Sequence, residues 1–436
     1  MCVVHSFRLV WILVNVKKRI AGILITIFES RSYLCLSRMV DEVTLVFFKQ
    51  IKAKGARSKE FSIVVPTIGN GNLGDQAMFD SFLTNVTGNI VAVVNSDSDL
   101  KISDLFKSRV SMVPLRGLLS GWPLGRIRAR MRFLELLQNA SSLSVVGADI
   151  MDGGYSRRDS VLRSQLLMMA GSLDVPSQIL GFSWNGRANS IAQRALERVS
   201  KRTILNLRDP ISFERIQSTA CENTVLSADT VFALQDRLPA GEAKDWVDSQ
   251  ERCGRRIAVI NTSGLLARRF DLDSEYRYIT KALLGDGYSV VILPHVIRKG
   301  DDDLAAAVRL KEAYPGEDVF LVDRLWSPEN VAWLASKASV VVTGRMHLAI
   351  LSLGQGTPAI TLASQGKVEG MLRFFELEKY AVEPRVGMAD DIVRLIEFIQ
   401  FDDAARRDEI LSRLQVVVLD ARKNFALTEE FPALQS

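Results

Sequence analysis

Residues 61–75 read FSIVVPTIGNGNLGD, which joins a run of β-branched residues to a glycine-rich turn at the start of a helical stretch. Short apolar runs of this kind alternate with helical stretches as far as residue 362, a pattern typical of parallel α/β units. The two series predict two similar α/β domains that face a cleft. Strands are predicted at 61–66, 90–94, 143–147, 178–182 and 203–207, and in a second series at 256–261, 288–293, 318–322, 339–343 and 358–362.

Composition shifts along the chain divide it into four parts. The first α/β series predicts a domain over residues 61–240, and the second predicts a domain over residues 255–385. The polar residues 235–255, which include proline and glycine, are interpreted as the connection between the domains. A basic and apolar extension precedes the domains at residues 1–60, and a charged helical tail follows them at residues 386–436.

The charge of the chain lies mainly in its N-terminal extension. The 436 residues are 47% hydrophobic and 24% charged, which excludes a disordered chain, a collagen-like repeat or a disulfide scaffold. Residues 1–60 hold 11 Lys/Arg and 4 Asp/Glu, a net charge of +7, whereas the other 376 residues have a net charge of −2. A nucleic-acid-binding body would carry clustered excess cations, so we expect no nucleic-acid partner.

Two apolar runs in the extension, residues 9–16 and 20–28, are separated by Lys17, Lys18 and Arg19. Three central cations disfavour a spanning helix and a signal peptide. An interfacial amphipathic segment fits better, with apolar side chains in the lipid and cations at anionic headgroups. The alternative is a helical extension packed on the body. Four isolated cysteines suit a reducing compartment, so the predicted location is cytoplasmic, with peripheral contact to the inner face of the cell membrane through residues 1–60.

The glycine-rich turn after the first strand allows two interpretations. Gly69, Gly71 and Gly74 satisfy the G-x-G-x-x-G spacing, and Asp97 follows at the distance expected of a ribose-binding carboxylate. An NAD- or FAD-dependent oxidoreductase therefore stays open as an alternative. Asp75 opposes this interpretation, because its carboxylate would lie beside the pyrophosphate. The simpler alternative is a strand-to-helix turn in which Asp75 is the helix N-cap.

Polar side chains also follow later strands, at the edge where open α/β sheets bind their ligands. Asp149 and Asp152 suit acid–base chemistry or hydroxyl binding, although either alone is equally compatible with a turn. Arg208 is placed to bind a carboxylate or phosphate, and its alternative role is a structural pair with Asp209. The acidic turn at residues 227–230 is interpreted as structural.

The segment Thr343–His347, TGRMH, runs from a strand into a helix. The chain has three histidines, and His347 lies beside Arg345 at a strand carboxyl end, where an imidazole can act as acid or base near neutral pH. His295 is interpreted as a surface-loop residue. With so few histidines and no zinc-like cysteine spacing, we expect no metal site.

Together these motifs resemble the polysaccharide pyruvyl transferase family, in the family's order and over roughly residues 63–365. The resemblance rests on Asn72–Asp75 (N-x-G-D), Gly147–Gly153 (G-x-D-x-x-D-G), Arg208–Ser212 (R-D-x-x-S), Gly344–His347 (G-R-x-H) and Gly356–Pro358 (G-x-P). It implies two Rossmann-like domains arranged as in GT-B glycosyltransferases. The basic extension and the helical tail lie mostly outside it.

The resemblance implies transfer of a pyruvyl group from phosphoenolpyruvate to a sugar of a cell-surface or exopolysaccharide precursor, with formation of a pyruvate ketal. Arg208 and Arg345 would bind phosphoenolpyruvate, His347 would be the general acid, and Asp75 would accept the hydroxyl proton. The remaining substrate-binding residues implied are Asn72, Gly74, Asp149, Asp152 and Met346. The partners expected are phosphoenolpyruvate as donor and a saccharide or lipid-linked oligosaccharide as acceptor, with no further cofactor.

Two further classes of protein share this architecture. A GT-B glycosyltransferase would use a nucleotide sugar, with Arg345 and the helix after it at the diphosphate. A non-catalytic component of a polysaccharide assembly would keep the fold without turnover. The sequence leaves both open, together with the oxidoreductase.

Overall fold

Two parallel sheets form the body of the protein in the computed structural model, which describes residues 26–51, 59–267, 270–316, 318–363 and 366–427. The first sheet has seven strands in the order β3-β2-β1-β4-β5-β6-β7, all parallel. Its strands are β1 (Phe61–Val65), β2 (Ile90–Val94), β3 (Val110–Pro114), β4 (Ala140–Ala148), β5 (Ser177–Phe182), β6 (Thr203–Leu207) and β7 (Thr224–Leu226). Chain order reverses between β1 and β4, which opens a crevice at their carboxyl ends.

Helices cover both faces of this sheet, so its central strands are buried, including polar residues such as Gln178, which donates a hydrogen bond to Ser144 at 3.1 Å. The helices of the first domain are α1 (Arg31–Ile51), α2 (Leu73–Asn85), α3 (Ile127–Asn139), α4 (Arg157–Ser172), α5 (Ser190–Ser200) and α6 (Pro210–Ile216). Asn72 begins α2 as its N-cap, because its side-chain oxygen accepts a hydrogen bond from the Gly74 N–H at 3.0 Å. The interpretation of Asp75 as the N-cap is therefore wrong, and its carboxyl is left for other contacts.

The second sheet repeats the pattern with six strands in the order β12-β9-β8-β13-β14-β15, also parallel. These are β8 (Arg256–Ile260), β9 (Tyr288–Ile292), β12 (Val319–Leu321), β13 (Ala338–Thr343), β14 (Ala359–Leu362) and β15 (Ala381–Val382), and a short hairpin pairs β10 (Ile297–Arg298) with β11 (Asp301–Asp302). Its helices are α7 (Gly241–Arg252), α8 (Gly264–Ala267), α9 (Asp273–Gly285), α10 (Leu304–Ala313), α11 (Pro328–Lys337), α12 (Met346–Leu353) and α13 (Lys367–Arg373). The predicted pair of α/β domains around a cleft is confirmed.

The C-terminal tail returns from the second domain to the first. It consists of α14 (Met388–Phe401) and α15 (Asp403–Arg422), after which the side chain of Asn424 enters the first domain. The Asn424 amide accepts a hydrogen bond from the Gly181 N–H at 2.7 Å and donates one to the Ala228 carbonyl at 2.9 Å, both in buried surroundings. The predicted helical tail thus fastens one domain to the other.

Several elements depart from the sequence prediction. The strands β3, β7, β10, β11 and β15 were not predicted: β3 is partly exposed, and the other four are only two or three residues long. The short helices α8 and α13 were not predicted either. Residues 241–252, interpreted as part of a connection, form α7, whose apolar residues pack on the second domain. The Gln250 side chain accepts a hydrogen bond from Ser289 of β9 at 2.7 Å, which fixes this charged helix to the second sheet.

Helix α1 of the N-terminal extension has two apolar faces. One packs on the first domain, where the Asp41 carboxylate lies 3.1 Å from Arg130 and all of these charged groups are buried. The other face is exposed and largely apolar: it carries Leu36, Met39, Val43, Val46, Phe47 and Ile51, together with the acidic Glu42. Among the described residues no helix has both the length and the apolar character that crossing a bilayer requires. Residues 1–25 lie outside the described residues, and they contain the first predicted apolar run and residues 20–25 of the second.

Candidate active site

The cleft lies where the carboxyl ends of the two sheets meet, and backbone pairing across it fixes the two domains together. The Leu73 N–H donates to the His295 carbonyl at 3.1 Å, and the Ile297 N–H donates to the Gly71 carbonyl at 2.8 Å. Gly71 has a φ of +84°, and a side chain there would meet the Ile297 carbonyl oxygen at 2.2 Å. The glycine-rich turn therefore packs closely against the second domain.

His347 reaches across the cleft to the start of α2. A Cβ atom at Gly74 would lie 2.3 Å from the His347 Nδ1 atom, so the imidazole packs directly on the glycine backbone. Glycine at this position allows the helix N-terminus and the imidazole to approach each other. The structure thus brings together Gly74 and His347, which the sequence placed in separate domains.

A buried carboxylate, Asp229, holds His347 on its other side. Its Oδ2 atom is 3.6 Å from His347 Nε2, within ion-pair range but longer than a hydrogen bond, and 3.0 Å from Arg208 Nη1. Burial raises the pKa of Asp229, but the charges of His347 and Arg208 outweigh burial and hold it below its usual range. Asp229 is therefore an anion that lies directly beside the imidazole of His347.

Asp75 lies beside this pair in the first turn of α2. Its Oδ2 atom accepts a hydrogen bond from Asn72 Nδ2 at 3.0 Å, so Asn72 both caps the helix and orients the carboxyl. Burial raises the pKa of Asp75 to about 6, against the opposing hydrogen bonds and the charge of His347. A carboxyl with this pKa exchanges a proton readily near neutral pH.

Two cations from opposite domains converge on Asp149. Arg208 of the first domain and Lys367, the first residue of α13 in the second, each contact one oxygen of its carboxylate. Burial raises the pKa of Asp149, but Lys367 and Arg208 together lower it well below the usual range. Arg208 Nε also donates to Ser183 Oγ at 2.8 Å, and Arg208 does not pair with Asp209, so the proposed structural pair is wrong. Asp209 instead is the N-cap of α6.

Arg345 lies in the second domain and is bound by two aspartates of that domain. Asp301 accepts hydrogen bonds from its Nη1 and Nη2 at 3.2 and 2.5 Å, and Asp303 accepts from Nε and Nη2 at 3.3 and 2.6 Å. These four hydrogen bonds hold the turn that carries His347 in a fixed position. Like those of Arg208, the carboxylate contacts of Arg345 all come from its own domain.

His295 is buried, with 2% of its surface exposed, so its interpretation as a surface-loop residue is wrong. Burial, together with the neighbouring positive charges of His347 and Arg345, lowers its pKa to about 3. Because His295 stays neutral, His347 is the histidine among the described residues that is suited to carry a proton in the cleft.

The other predicted site residues serve the surroundings of the cleft. The Asp152 carboxylate accepts a hydrogen bond from the Gly154 N–H at 2.7 Å, and its side chain lines a small pocket with Asp149 and Lys367. Met346, the first residue of α12, is buried in the hydrophobic core. Asp152 therefore shapes the turn after β4, and Met346 anchors the helix that presents His347.

Sequence reasoning missed Lys367 and assigned Asp229 a structural role. Asp229 follows β7, the edge strand that was not predicted, and its position after a strand was the signal available. Lys367 offered no motif, because its function depends on α13 meeting the first domain. No group of three potential metal ligands occurs in the parts of the chain that the structure describes.

With this geometry in place, the sequence can be compared with known proteins. The model of the family described as polysaccharide pyruvyl transferase matches residues 72–366, about two thirds of the chain. The chain belongs to the polysaccharide pyruvyl transferase family. It is accordingly a transferase enzyme whose family acts on saccharide acceptors in polysaccharide biosynthesis. The matched residues include the motifs and site residues from Asn72 to Pro358, whereas Gly69, Gly71 and Lys367 lie just outside them.

Solved structures support the fold. A UDP-N-acetylglucosamine 2-epimerase matches with a TM-score of 0.56 and 10% identity, covering 85% of this chain and 95% of that one. UDP-GlcNAc 2-epimerase from Neisseria meningitidis, bound to UDP-GlcNAc, matches with a TM-score of 0.53 and 9% identity, covering 84% of this chain and 99% of that one. Sucrose-phosphate synthase from Thermosynechococcus elongatus matches with a TM-score of 0.52 and 12% identity, covering 84% of this chain and 97% of that one. At these identities the likeness shows a GT-B-like fold alone. No curated protein sequence matches the chain.

The geometry also bears on the dinucleotide interpretation of the glycine motif. In the described structure Gly71 faces Ile297 and Gly74 faces His347, so these two glycines serve contact between domains. The space that a bound pyrophosphate would need beside Gly74 is taken by the imidazole. The family match and this packing both favour the transferase over the oxidoreductase.

Proposed function

We propose that this pyruvyl transferase moves the pyruvyl group of phosphoenolpyruvate to a saccharide and closes a cyclic ketal across two hydroxyl groups. The single observation that carries the proposal is the convergence of Arg208, Lys367, Asp229, His347 and Asp75 in one cleft. They supply two cations, an acid with its supporting anion, and a separate carboxyl of raised pKa.

The donor is bound by the cations. Phosphoenolpyruvate carries a phosphate and a carboxylate, and Arg208 and Lys367 now share the Asp149 carboxylate between them. When the donor binds, its anionic group replaces Asp149 as the partner of Lys367, while Arg208 remains paired with Asp229. Because the two cations come from opposite domains, binding of one anion to both draws the domains together.

Proton transfer starts at His347. As imidazolium, with the Asp229 carboxylate beside it, His347 gives its proton to the methylene carbon of phosphoenolpyruvate, and the adjacent carbon becomes oxocarbenium-like. A sugar hydroxyl forms a bond to that carbon and gives its proton to Asp75. The bond between that carbon and the phosphate oxygen then breaks, and phosphate leaves with the proton held by Asp75. A second hydroxyl closes the ketal as its proton passes to the neutral His347, which restores the imidazolium. Asp75 suits the base role because its pKa of about 6 leaves it ionised at neutral pH yet basic enough to accept a proton.

The experiment compares the purified enzyme with its His347→Gln variant. Lipid-linked oligosaccharides from the host are mixed with phosphoenolpyruvate, and phosphate release is measured together with the methyl NMR signal of the ketal. We expect at least a 100-fold lower rate in the variant, as for loss of a general acid. Arg324→Gln, at an exposed site, is the matched control and should keep the wild-type rate. Equal rates in His347→Gln and wild type would refute the proposal. A thermal shift with UDP- or GDP-sugars but none with phosphoenolpyruvate would favour a glycosyltransferase instead.

We further propose that the enzyme is cytoplasmic and binds the inner face of the membrane through its N-terminal region. The exposed face of α1 is apolar, and its one acidic residue, Glu42, is paired with Arg38 at 2.7 Å. With a net charge of +7 over residues 1–60, such a surface suits an anionic bilayer.

Co-sedimentation with phosphatidylglycerol vesicles tests this membrane contact. Val43→Glu should reduce binding several-fold, whereas Leu419→Glu, an equally exposed apolar site on α15, should not. A deletion should stop at residue 25, because removal of α1 would expose the buried Arg130 and its surroundings. Equal binding by Val43→Glu and wild type would refute the contact.

A further inference from the structure

A second pocket lies at the carboxyl ends of β1 and β2, on the first-domain side of the cleft. The loop after β3 and the first turns of α4 close it. One wall is apolar and includes Leu115 and Leu118, and the polar lining carries Arg158 and Arg163 together with two carboxylates. Of these carboxylates, Asp99 accepts a hydrogen bond from the Ser96 N–H at 2.8 Å and Asp159 is paired with Arg158.

Arg163 lies in this pocket as a buried cation, and no carboxylate of the described residues lies within 4.0 Å of its guanidinium nitrogens. Only 2% of its surface is exposed, its Nη1 atom reaches the Pro66 carbonyl at 3.4 Å, and its Nε atom has no hydrogen-bond partner in the described structure. The four other buried arginines of the described residues each have a carboxylate within 4.0 Å: Arg126, Arg130, Arg208 and Arg345. Arg163 is therefore the exception.

An unpaired buried charge is costly unless a ligand supplies the missing partner. The carboxylate of Asp159, one turn earlier on α4, is already paired with Arg158 at 3.2 Å. The apolar wall formed by Leu115 and Leu118 excludes water and strengthens attraction between Arg163 and an anion. The pocket thus has the chemistry of a site for one anionic group on a partly apolar ligand.

We propose that this pocket binds the acceptor saccharide, and that Arg163 selects an acceptor that carries a phosphate or carboxylate close to the sugar that is modified. The inference rests on the proposed function. Thr67 of the pocket wall precedes the glycine-rich turn, and Asp75 at the end of that turn is near enough to Arg163 for their charges to interact. An anion on Arg163 therefore places the attached sugar with a hydroxyl towards Asp75.

The surface around the pocket bears on which anion is bound. Arg158 lies over the Phe28 ring at 5.6 Å, and Phe28 packs on Trp122, which is about half exposed. The apolar neighbour Leu124 is 70% exposed. This apolar surface beside the pocket mouth suits the lipid of a lipid-linked sugar phosphate. A carboxylate on an acidic sugar meets Arg163 by the same chemistry without needing that surface.

Calorimetric titration of the full chain distinguishes these cases, with galactose, galactose 1-phosphate and galacturonate as probes. We expect at least one anionic sugar to bind about tenfold or more tightly than galactose, the gain typical of one charge-assisted hydrogen-bonded contact. Preference for galactose 1-phosphate would identify a phosphate as the selected group, and preference for galacturonate a carboxylate.

Paired variants separate this site from the donor site. Arg163→Met should lose the preference for the anionic sugar and keep phosphoenolpyruvate binding, whereas Lys367→Met should do the reverse. Arg163→Lys, which keeps the charge, should retain part of the preference and serves if Arg163→Met does not fold.

Three results would overturn the inference. These are equal binding of neutral and anionic sugars by wild type, a preference that survives in Arg163→Met, and a preference that disappears in Lys367→Met. Failure of the proposed function would look different, since phosphoenolpyruvate would then not bind or turn over in any variant.

Discussion

Replacement of Gly74 by alanine probes the closest contact in the active site. The new methyl group would lie 2.3 Å from Nδ1, 2.8 Å from Cγ and 3.1 Å from Cβ of His347. Ordinary contact begins at about 3.4 Å, so the imidazole must move by about 1 Å, and rotation of the ring alone does not relieve a clash that includes its Cβ. A displacement of about 1 Å at a catalytic group can cost about 100-fold in rate.

In contrast to activity, stability should change little. Gly74 is inside α2, and alanine in place of a helical glycine stabilises by about 0.5–1 kcal/mol where space permits. The clash offsets this gain, so we expect a melting temperature within a few degrees of wild type. Gly285→Ala, in the last turn of α9 with open space around it, is the matched control and should keep full activity.

Phosphate release from phosphoenolpyruvate with acceptor, and thermal melting, are measured for both variants. Wild-type turnover by Gly74→Ala would mean that His347 does not pack on α2 in the active enzyme. Loss of activity by both glycine variants would mean that the effect is not specific to the cleft. Either result would refute the reasoning.

Three further predictions concern charge and stability. Burial raises the pKa of Asp75 from 3.8 to about 6, so the stabilisation from its protonated form is fully present below pH 4 and is lost as the pH rises through 6. In urea unfolding, Asp75→Asn should therefore be more stable than wild type by about 1–3 kcal/mol at pH 8 and equally stable at pH 4. Lys367→Met should raise the KM for phosphoenolpyruvate about tenfold or more. Lys379 lies over the Phe398 ring, and Lys379→Met should leave this KM unchanged. Equal KM values for Lys367→Met and wild type would exclude Lys367 from the donor site. Asn424→Ala leaves two buried backbone groups unpaired and should lower the free energy of unfolding in urea by roughly 2–4 kcal/mol. A decrease of less than about 1 kcal/mol would argue that Asn424 does not fasten the tail to the first domain.

The elements with strong periodicity were predictable from the sequence. The central strands β1, β4, β8 and β13 are buried on both faces, so their apolar β-branched runs identify them. Edge strands such as β7 (Thr224–Leu226) are half-buried and short, and they carry no such signal. Helix α7 was obscured because its exposed face is charged.

The active site was predictable only as far as strand ends reveal it. Arg208 and His347 follow strands, and parallel topology brings such residues to one edge. The meeting of Gly74 with His347, and of Lys367 with Asp149, depends on how the two domains face each other. Sequence spacing within one domain does not contain this information. The pairing of Arg345 with Asp301 and Asp303 was hidden for a related reason, because the partners lie on a hairpin some 40 residues earlier.

The central claim is that the His347–Asp229 pair protonates phosphoenolpyruvate in a cleft whose cations come from both domains. The most direct test is the transfer reaction in D₂O with host lipid-linked oligosaccharides, observed by NMR at the methyl group of the product. We predict one solvent deuterium in each ketal methyl group, phosphate released in equal amount, and neither product with His347→Gln at an unchanged melting temperature. A methyl group without solvent deuterium, or full turnover by His347→Gln, would contradict the account.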